Sequence, residues 1–289
     1  MQPQAQPNQF LDHLNFRPGI TDIPCPVCGP NCKAASNRRR KVLRVWNNDG
    51  FITYNCARCG AQGVATIDKP MPATPLPQKD NSERMALAER LWGMAHHWPI
   101  CFPYPRIYPH ETYLRVRKCF WPSPSIRYLS PDKGRPPRMV AKFQGVSAVH
   151  ITKLQPDGMG KAGTDHDKVI VGPYSGFPIV IRSSGWSNNL IISEGIEDGL
   201  SLSLAFPHWT VWSAGSSSVI HRLINADKPV IVAVDDDMAG QKAAERCLSI
   251  NPQTSVIKFP KGLDANAILV QHGLNALRDF VSRHQPFHR

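Results

Sequence analysis

From residue 189 to 284, short apolar runs alternate with amphipathic stretches in a regular order. Leu190-Ile191-Ile192 and Val230-Ile231-Val232-Ala233-Val234 are apolar without a polar alternation and too short for helices, the pattern of strands buried on both faces. The periodicity predicts strand 190–193, helix 196–206, strand 209–213, helix 217–225, strand 229–235, helix 239–249, strand 255–259, helix 264–272 and a last helix near 273–284. Strand and helix in strict alternation give a doubly wound α/β module with a parallel sheet, placed at 188–289.

Upstream the texture is different. Residues 120–187 are broken by Pro and Gly and carry strand-like runs at 139–143, 147–154, 169–171 and 179–181. Helices are predicted at 82–97, with Ser82 as N-cap, and at 110–118. Residues 81–187 therefore read as a mixed α+β subdomain. Residues 69–80, with four prolines, read as a stiff extended linker. Before it, Val42–Trp46 and Phe51–Tyr54 read as two strands joined through Asn47-Asn48-Asp49-Gly50, where Asp-Gly signals the turn. This small β unit is placed at 21–68, and residues 1–20, polar and rich in Gln and Pro, as a disordered tail.

Charge adds a direction. The chain of 289 residues has a formal net charge of +12. Residues 1–187 hold 25 Lys and Arg against 12 Asp and Glu, whereas 188–289 hold 9 against 10, so the whole surplus lies outside the α/β module. A basic body beside an acidic module suits a polyanion gripped in one place and processed in another. No window approaches the ~18 consecutive apolar residues of a membrane span, and the first residues lack a basic and then apolar leader pattern. The expectation is a soluble, cytoplasmic, monomeric protein with no membrane partner.

Two sets of residues carry candidate chemistry. Cys25-Pro-Val-Cys28 and Cys56-Ala-Arg-Cys59 form paired C-x2-C motifs with 27 residues between them, each followed by a glycine that lets the chain turn its thiols toward one ion. Four thiolates predict a closed, structural Zn²⁺ site, with Cys32 as a possible substitute ligand. The neighbouring Arg38, Arg39 and Arg40, with Arg44 and Trp46, offer charge and a stacking face to single-stranded DNA. The second set is acidic. Glu194 follows the first strand of the module and Asp198 lies four residues on, in the first turn of the next helix. Asp235 and Asp237 follow the third strand with D-x-D spacing, and Asp264 follows the fourth. Strand tips at the C-terminal edge of a parallel sheet are where such folds keep their sites. Carboxylates crowded there, repelling by roughly 1–4 kcal/mol per pair at ~4 Å, make sense as ligands of Mg²⁺ or Mn²⁺. Asp236, between the two aspartates, is expected to point away, and Glu197 to face solvent as an ordinary first-turn residue.

These segments resemble the Toprim domain shared by topoisomerases, bacterial and phage primases and some nucleases, whose signature is a Glu after the first strand and D-x-D after the third. Glu194-Gly195-Ile196-Glu197-Asp198 and Asp235-Asp236-Asp237-Met238-Ala239-Gly240 are similar to the primase forms E-G-x-x-D and D-x-D-x-A-G, and Lys261-Gly262-Leu263-Asp264-Ala265-Asn266 to the G-K-D-A-N of phage primases, with Leu263 where Lys is usual. A four-cysteine zinc ribbon, a Pro-rich tether and a basic subdomain ahead of the Toprim segment follow the primase order. Tyr113–Arg117, Ile126–Tyr128 and the 139–154 hairpin resemble the N-terminal subdomain of the polymerase core in Toprim primases of phage and mobile elements. Lys168 is similar to a lysine facing the active site in bacterial primases.

The resemblance implies a stand-alone DNA primase, a nucleotidyltransferase making short RNA primers from NTPs on a single-stranded DNA template, with a separate replicative helicase as a candidate partner. Its implied catalytic residues are Glu194, Asp235 and Asp237, with Asp198 and Asp264 completing the Mg²⁺ or Mn²⁺ ligands. Arg117, Arg127, Arg138, Lys142, Lys153 and Lys168 would bind template phosphates and nucleotide. Gly158-Met-Gly160-Lys161 is no phosphate loop, because Ala162 stands at the Ser/Thr position and the earlier glycine is missing. The alternatives are a Toprim nuclease, a recombination-mediator-like enzyme, or a non-catalytic single-stranded-DNA-binding adaptor.

Overall fold

The computed structural model describes residues 19–31, 38–48, 51–66, 81–97, 108–185, 189–226 and 228–283. The chain divides into two compact units, Met1–Lys79 and Asp80–Arg289. The predicted turn at 49–50, the linker at 69–80, most of the tail at 1–20, and Cys32 lie outside the described residues.

The first unit is an antiparallel sheet of β1 (Gly19–Pro24), β2 (Lys41–Asn48), β3 (Phe51–Cys56) and β4 (Gln62–Thr66), paired in that order. Its interior is small: Leu43, Val45, Ile52 and Tyr54, closed at one end by Cys25 and Cys56. Cys25 and Cys28 follow β1, while Cys56 ends β3 and Cys59 lies in the turn before β4. Both C-x2-C segments close in the same way. The Gly29 amide donates to the Cys25 carbonyl at 2.8 Å and the Gly60 amide to the Cys56 carbonyl at 3.0 Å. A Cβ on Gly29 would stand 2.5 Å from that Cys25 oxygen, so the turn needs glycine there.

The second unit holds two sheets. β5 (Ile126–Leu129), β6 (Arg138–Lys142), β7 (Val149–Lys153) and β8 (Lys168–Val171) form an antiparallel sheet. One face, with Leu129, Val140, Val149 and Ile151, packs on α1 (Ser82–Met94) through Ala88 and Leu91. Met139 and Ala141 point the other way and join the main core with Tyr113 and Leu114 of α2 (Pro109–Val116). The period-2 alternation of these strands thus serves two buried faces rather than one buried and one wet.

The other sheet runs β13 (Ser255–Lys258), β12 (Ile231–Val234), β10 (Leu190–Ser193), β11 (Thr210–Ser213), β9 (Ile179–Arg182). The first four are mutually parallel and β9 closes the edge antiparallel to β11. Ile191 and Ile231 face α3 (Ile196–Ala205) and α5 (Ala265–Ser282), while Ile192, Val232 and Val234 face a 3₁₀ helix (Ser217–Leu223) and α4 (Met238–Ile250). Consecutive apolar residues are required because both faces are covered. The predicted helix at 217–225 is therefore a 3₁₀ turn, opened by Ser216, whose hydroxyl accepts from the Ser218 amide at 3.4 Å. The two C-terminal helices predicted at 264–272 and 273–284 are both present within α5, parted at Gly273, whose φ of 88° is not helical. Among the described residues no helix is long and apolar enough to cross a membrane.

Candidate active site

Strand register sets the first two carboxylates. Ser193 of β10 pairs with Ala233 of β12, so Glu194 and Asp235 leave neighbouring parallel strands at nearly the same level. Glu194 is held closely. Its carbonyl accepts from the Gly215 amide at 3.0 Å and the Ser213 hydroxyl at 3.1 Å, and the Ser217 amide and hydroxyl act on its carboxylate to favour the charged form. Gly240 lies against Asp235, where a Cβ would come within 2.2 Å of the Asp235 carbonyl oxygen. The glycine of the D-x-D-x-A-G segment is thus a steric requirement.

The other carboxylates come from helix starts. Asp237 is the N-cap of α4 and accepts from the Gly240 amide at 2.7 Å; Asp264 is the N-cap of α5 and accepts from the Ala267 amide at 2.6 Å. Asp198, in the first turn of α3, accepts from the Asn266 amide at 3.0 Å. Helix N-termini favour negative charge, yet at Asp198 burial outweighs it. Burial pushes Asp198 up to about 8, with the Asp264 charge adding to it. Burial likewise raises Glu194, assisted by Asp235 and Asp237, and raises Asp235, assisted by Asp264 and Asp237 and opposed by Lys168. Carboxylates lifted by burial and by one another are what a hard divalent cation would reverse, and all five offer oxygen donors. Among the described residues, only the four cysteines form a group of three or more whose ligand atoms all lie within 4.8 Å of one another; the carboxylates line a wider space. Asp236 is exposed.

Glu197 does not face solvent. It is buried, accepts a 2.7 Å hydrogen bond from the Tyr113 hydroxyl, and stands 3.7 Å from Lys161 and 3.8 Å from Lys168. Burial alone would raise its carboxyl, but the two ammonium groups and Tyr113 hold it down at about 2. The reason is the helix that carries it: α3 is buried on nearly all sides, so its first turn has no wet face to offer. Neither Glu197 nor Lys161 was assigned a role from sequence. The run Leu200–Ala205, which holds no charged residue, was the available signal that an acidic residue in this helix needs an internal partner.

The predicted cations separate by sheet face. Lys168 starts β8 on the face toward the carboxylates, and Arg117, after α2, donates to the Asn266 side chain at 3.3 Å beside Asp264. The other four engage elsewhere. Arg138 is buried, pairing with Asp132 and donating to the Ser130 carbonyl at 3.0 Å. Arg127 lies 3.9 Å over the Trp92 ring and donates to the Trp92 carbonyl at 2.9 Å. Lys142 pairs with Glu89 of α1 at 3.2 Å, and Lys153 reaches Thr164 at 3.5 Å. In the first unit Arg38, Arg39 and Arg40 are exposed, and Arg40 lines a groove of about 670 Å³ with Lys41, Arg44, Trp46 and Arg58.

The thiols of the first unit converge. Sγ of Cys25 and Cys59 are 3.8 Å apart, as are those of Cys28 and Cys56. Four sulfurs at ~2.3 Å from one tetrahedral ion stand about 3.8 Å apart, so the arrangement fits a metal-ligand set.

Residues 189–275 match the family model of the Toprim domain. The Toprim segment so defined holds all five carboxylates and the sheet edge that presents them. Among solved structures, the chain is similar to the primase fragment of the bacteriophage T7 primase-helicase protein, with 16% identity and a TM-score of 0.44 over 90% of this chain and 98% of that one. It is also similar to the zinc-binding and RNA polymerase domains of Aquifex aeolicus primase, with 14% identity and a TM-score of 0.43 over 96% and 82%. The RNA polymerase domain of Mycobacterium tuberculosis primase DnaG matches with 19% identity and a TM-score of 0.38, over 52% of this chain; the chain spans 56% of that domain. A comparison with curated protein sequences finds no match.

Proposed function

We propose that this protein is a DNA primase, a metal-dependent nucleotidyltransferase that joins ribonucleotides on single-stranded DNA. The observation that carries the reading is the placement of Glu194 and Asp235 at the ends of neighbouring parallel strands of the Toprim sheet, with Asp237 capping α4, Asp198 tied to the start of α5 beside its cap Asp264, and Lys168 reaching the adjoining Glu197 from the antiparallel sheet. Glu194, Asp235 and Asp237 would hold Mg²⁺ or Mn²⁺, with Asp198 and Asp264 completing the set. Such ions bring positive charge to triphosphate oxygens and lower the pKa of a hydroxyl nucleophile. Lys168 and Arg117 add fixed positive charge beside the carboxylates, on the side where an anionic nucleotide would enter. The helix caps keep Asp237 and Asp264 in place without help from the substrate.

Cys25, Cys28, Cys56 and Cys59 would hold a structural Zn²⁺. The exposed Arg38–Arg40 and the basic groove with Trp46 suit contact with template phosphates and a stacked base. The test is synthesis of labelled primers from four NTPs on single-stranded DNA with Mg²⁺ or Mn²⁺. Short products absent in Asp235→Ala are expected; template cut, or bound without product, would replace this reading by a nuclease or an adaptor.

A further inference from the structure

The proposed metal ligands leave one buried carboxylate unused. Glu197 has an exposed side-chain fraction of only 7%, in a helix whose other inward residues are apolar or small. A carboxylate so placed is costly unless it is paired. It is paired twice. One oxygen takes the Tyr113 hydroxyl and faces Lys161; the other faces Lys168. Both lysines come from the antiparallel sheet and its loop rather than from the Toprim segment.

A role limited to joining the two layers would need one cation, buried as deeply as its partner. The observed arrangement differs in two respects. Two lysines against one carboxylate leave a net positive charge, and both remain partly open, at 30% and 44% of side-chain exposure. The two ammonium groups are also close enough to act on one another, and Lys168 reaches the field of Asp235. An ammonium has three donors, so each can face Glu197 and still offer hydrogen bonds outward. His150 Nδ1 and Thr152 Oγ1, buried on the same face of the sheet, have no hydrogen-bond partner among the described residues, so the surroundings of the lysines hold further polar capacity.

We propose that Glu197 is a positioning residue: it holds the Lys161 and Lys168 ammonium groups side by side at the edge of the carboxylate cluster, where they meet the phosphates of a nucleoside triphosphate. This rests on the primase reading. The charge of Glu197 offsets the repulsion between the lysines, and the Tyr113 hydroxyl fixes the rotamer of the carboxylate that aims them.

The experiment measures the Kd of Mg·ATP by calorimetry, together with KM and kcat for primer synthesis, on the full chain. Glu197→Gln keeps the shape and removes the charge; it is expected to raise Kd and KM about tenfold while kcat stays within about twofold. Glu197→Asp, which restores the charge, is expected to recover part of that loss. Tyr113→Phe leaves the charge balance intact and is expected to weaken Kd roughly two- to threefold, which keeps the test open where Glu197→Gln does not fold. Wild-type Kd and KM in these variants, with only a lower Tm, would overturn the inference and leave the primase reading standing. A wild-type protein that binds Mg·ATP but makes no primers would overturn the primase reading alone, and Kd in Glu197→Gln would still decide the role of Glu197. Absence of Mg·ATP binding by the wild-type protein would overturn both.

Discussion

Asp237 and Asp264 each serve two purposes, and their chemistry allows the two to be separated. Each caps a helix by accepting an amide hydrogen bond, and each adds negative charge to the sheet edge. Asparagine caps about as well as aspartate, whereas alanine costs ~1 kcal/mol. Asp237→Asn should therefore abolish primer synthesis with stability changed by less than about 0.5 kcal/mol, while Asp237→Ala should lose ~1 kcal/mol as well; urea melts beside activity assays check both. Arg138 calls for the opposite pattern. Its guanidinium is buried against Asp132 and the Ser130 carbonyl, so Arg138→Ala should cost roughly 1–3 kcal/mol and leave the affinity for single-stranded DNA unchanged. At this scale the sequence told which residue types could act, through spacing and position after strands. It did not tell which way Arg138 or Glu197 points, because strand faces and helix burial depend on neighbours distant in the chain.

The elements owe their places to local rules, with one close contact deciding the site. Gly240 opens α4 so tightly against Asp235 that a methyl group there would overlap the Asp235 carbonyl. Gly240→Ala should displace the D-x-D segment, lowering Tm by several degrees and primer synthesis by at least about tenfold, read by calorimetry and by labelled-primer yield. Element order in 190–282 follows the apolar runs almost residue for residue, because a strand covered on both faces writes its burial directly into its sequence. β9 shows where that stops. Its strand character was legible at 179–181, but its pairing with β11 was not, so the five-stranded sheet begins upstream of the boundary at 188 drawn from texture. The 3₁₀ turn at Ser217–Leu223 escaped for a related reason: its periodicity resembles that of an α-helix over so few residues.

For the molecule as a whole, the two units have different sources of stability. The first unit's interior is small; on the proposal that Cys25, Cys28, Cys56 and Cys59 hold Zn²⁺, a chelator should unfold it, with loss of its β-sheet signal and about one Zn²⁺ released per chain. The second unit has a large core and a buried titratable group within it. His110, packed against Tyr128 with ring centroids 5.1 Å apart, is held down at about 3 by burial, below its ordinary 6.5. The unfolded chain then binds the extra proton, so this contribution is complete above about pH 6.5 and is lost as pH falls toward 3. Between pH 7 and pH 5 the loss from His110 should be on the order of 2 kcal/mol, and His110→Phe should remove that share of the slope in denaturant titrations, leaving the share of His150, which burial holds down at about 4.

The sequence by itself determined the α/β alternation, the paired cysteines, the order of the acidic residues and the uneven charge, since each is written in spacing along the chain. Only the tertiary structure decided which cations meet those acids. Lys161 and Lys168 reach Glu197 because the antiparallel sheet turns one face toward the Toprim segment, while Arg127, Arg138 and Lys142 lie on the other face, toward α1. Two residues apart in a strand share a face and adjacent residues do not, but which face meets the acidic edge is set by packing between layers, and no local pattern records it.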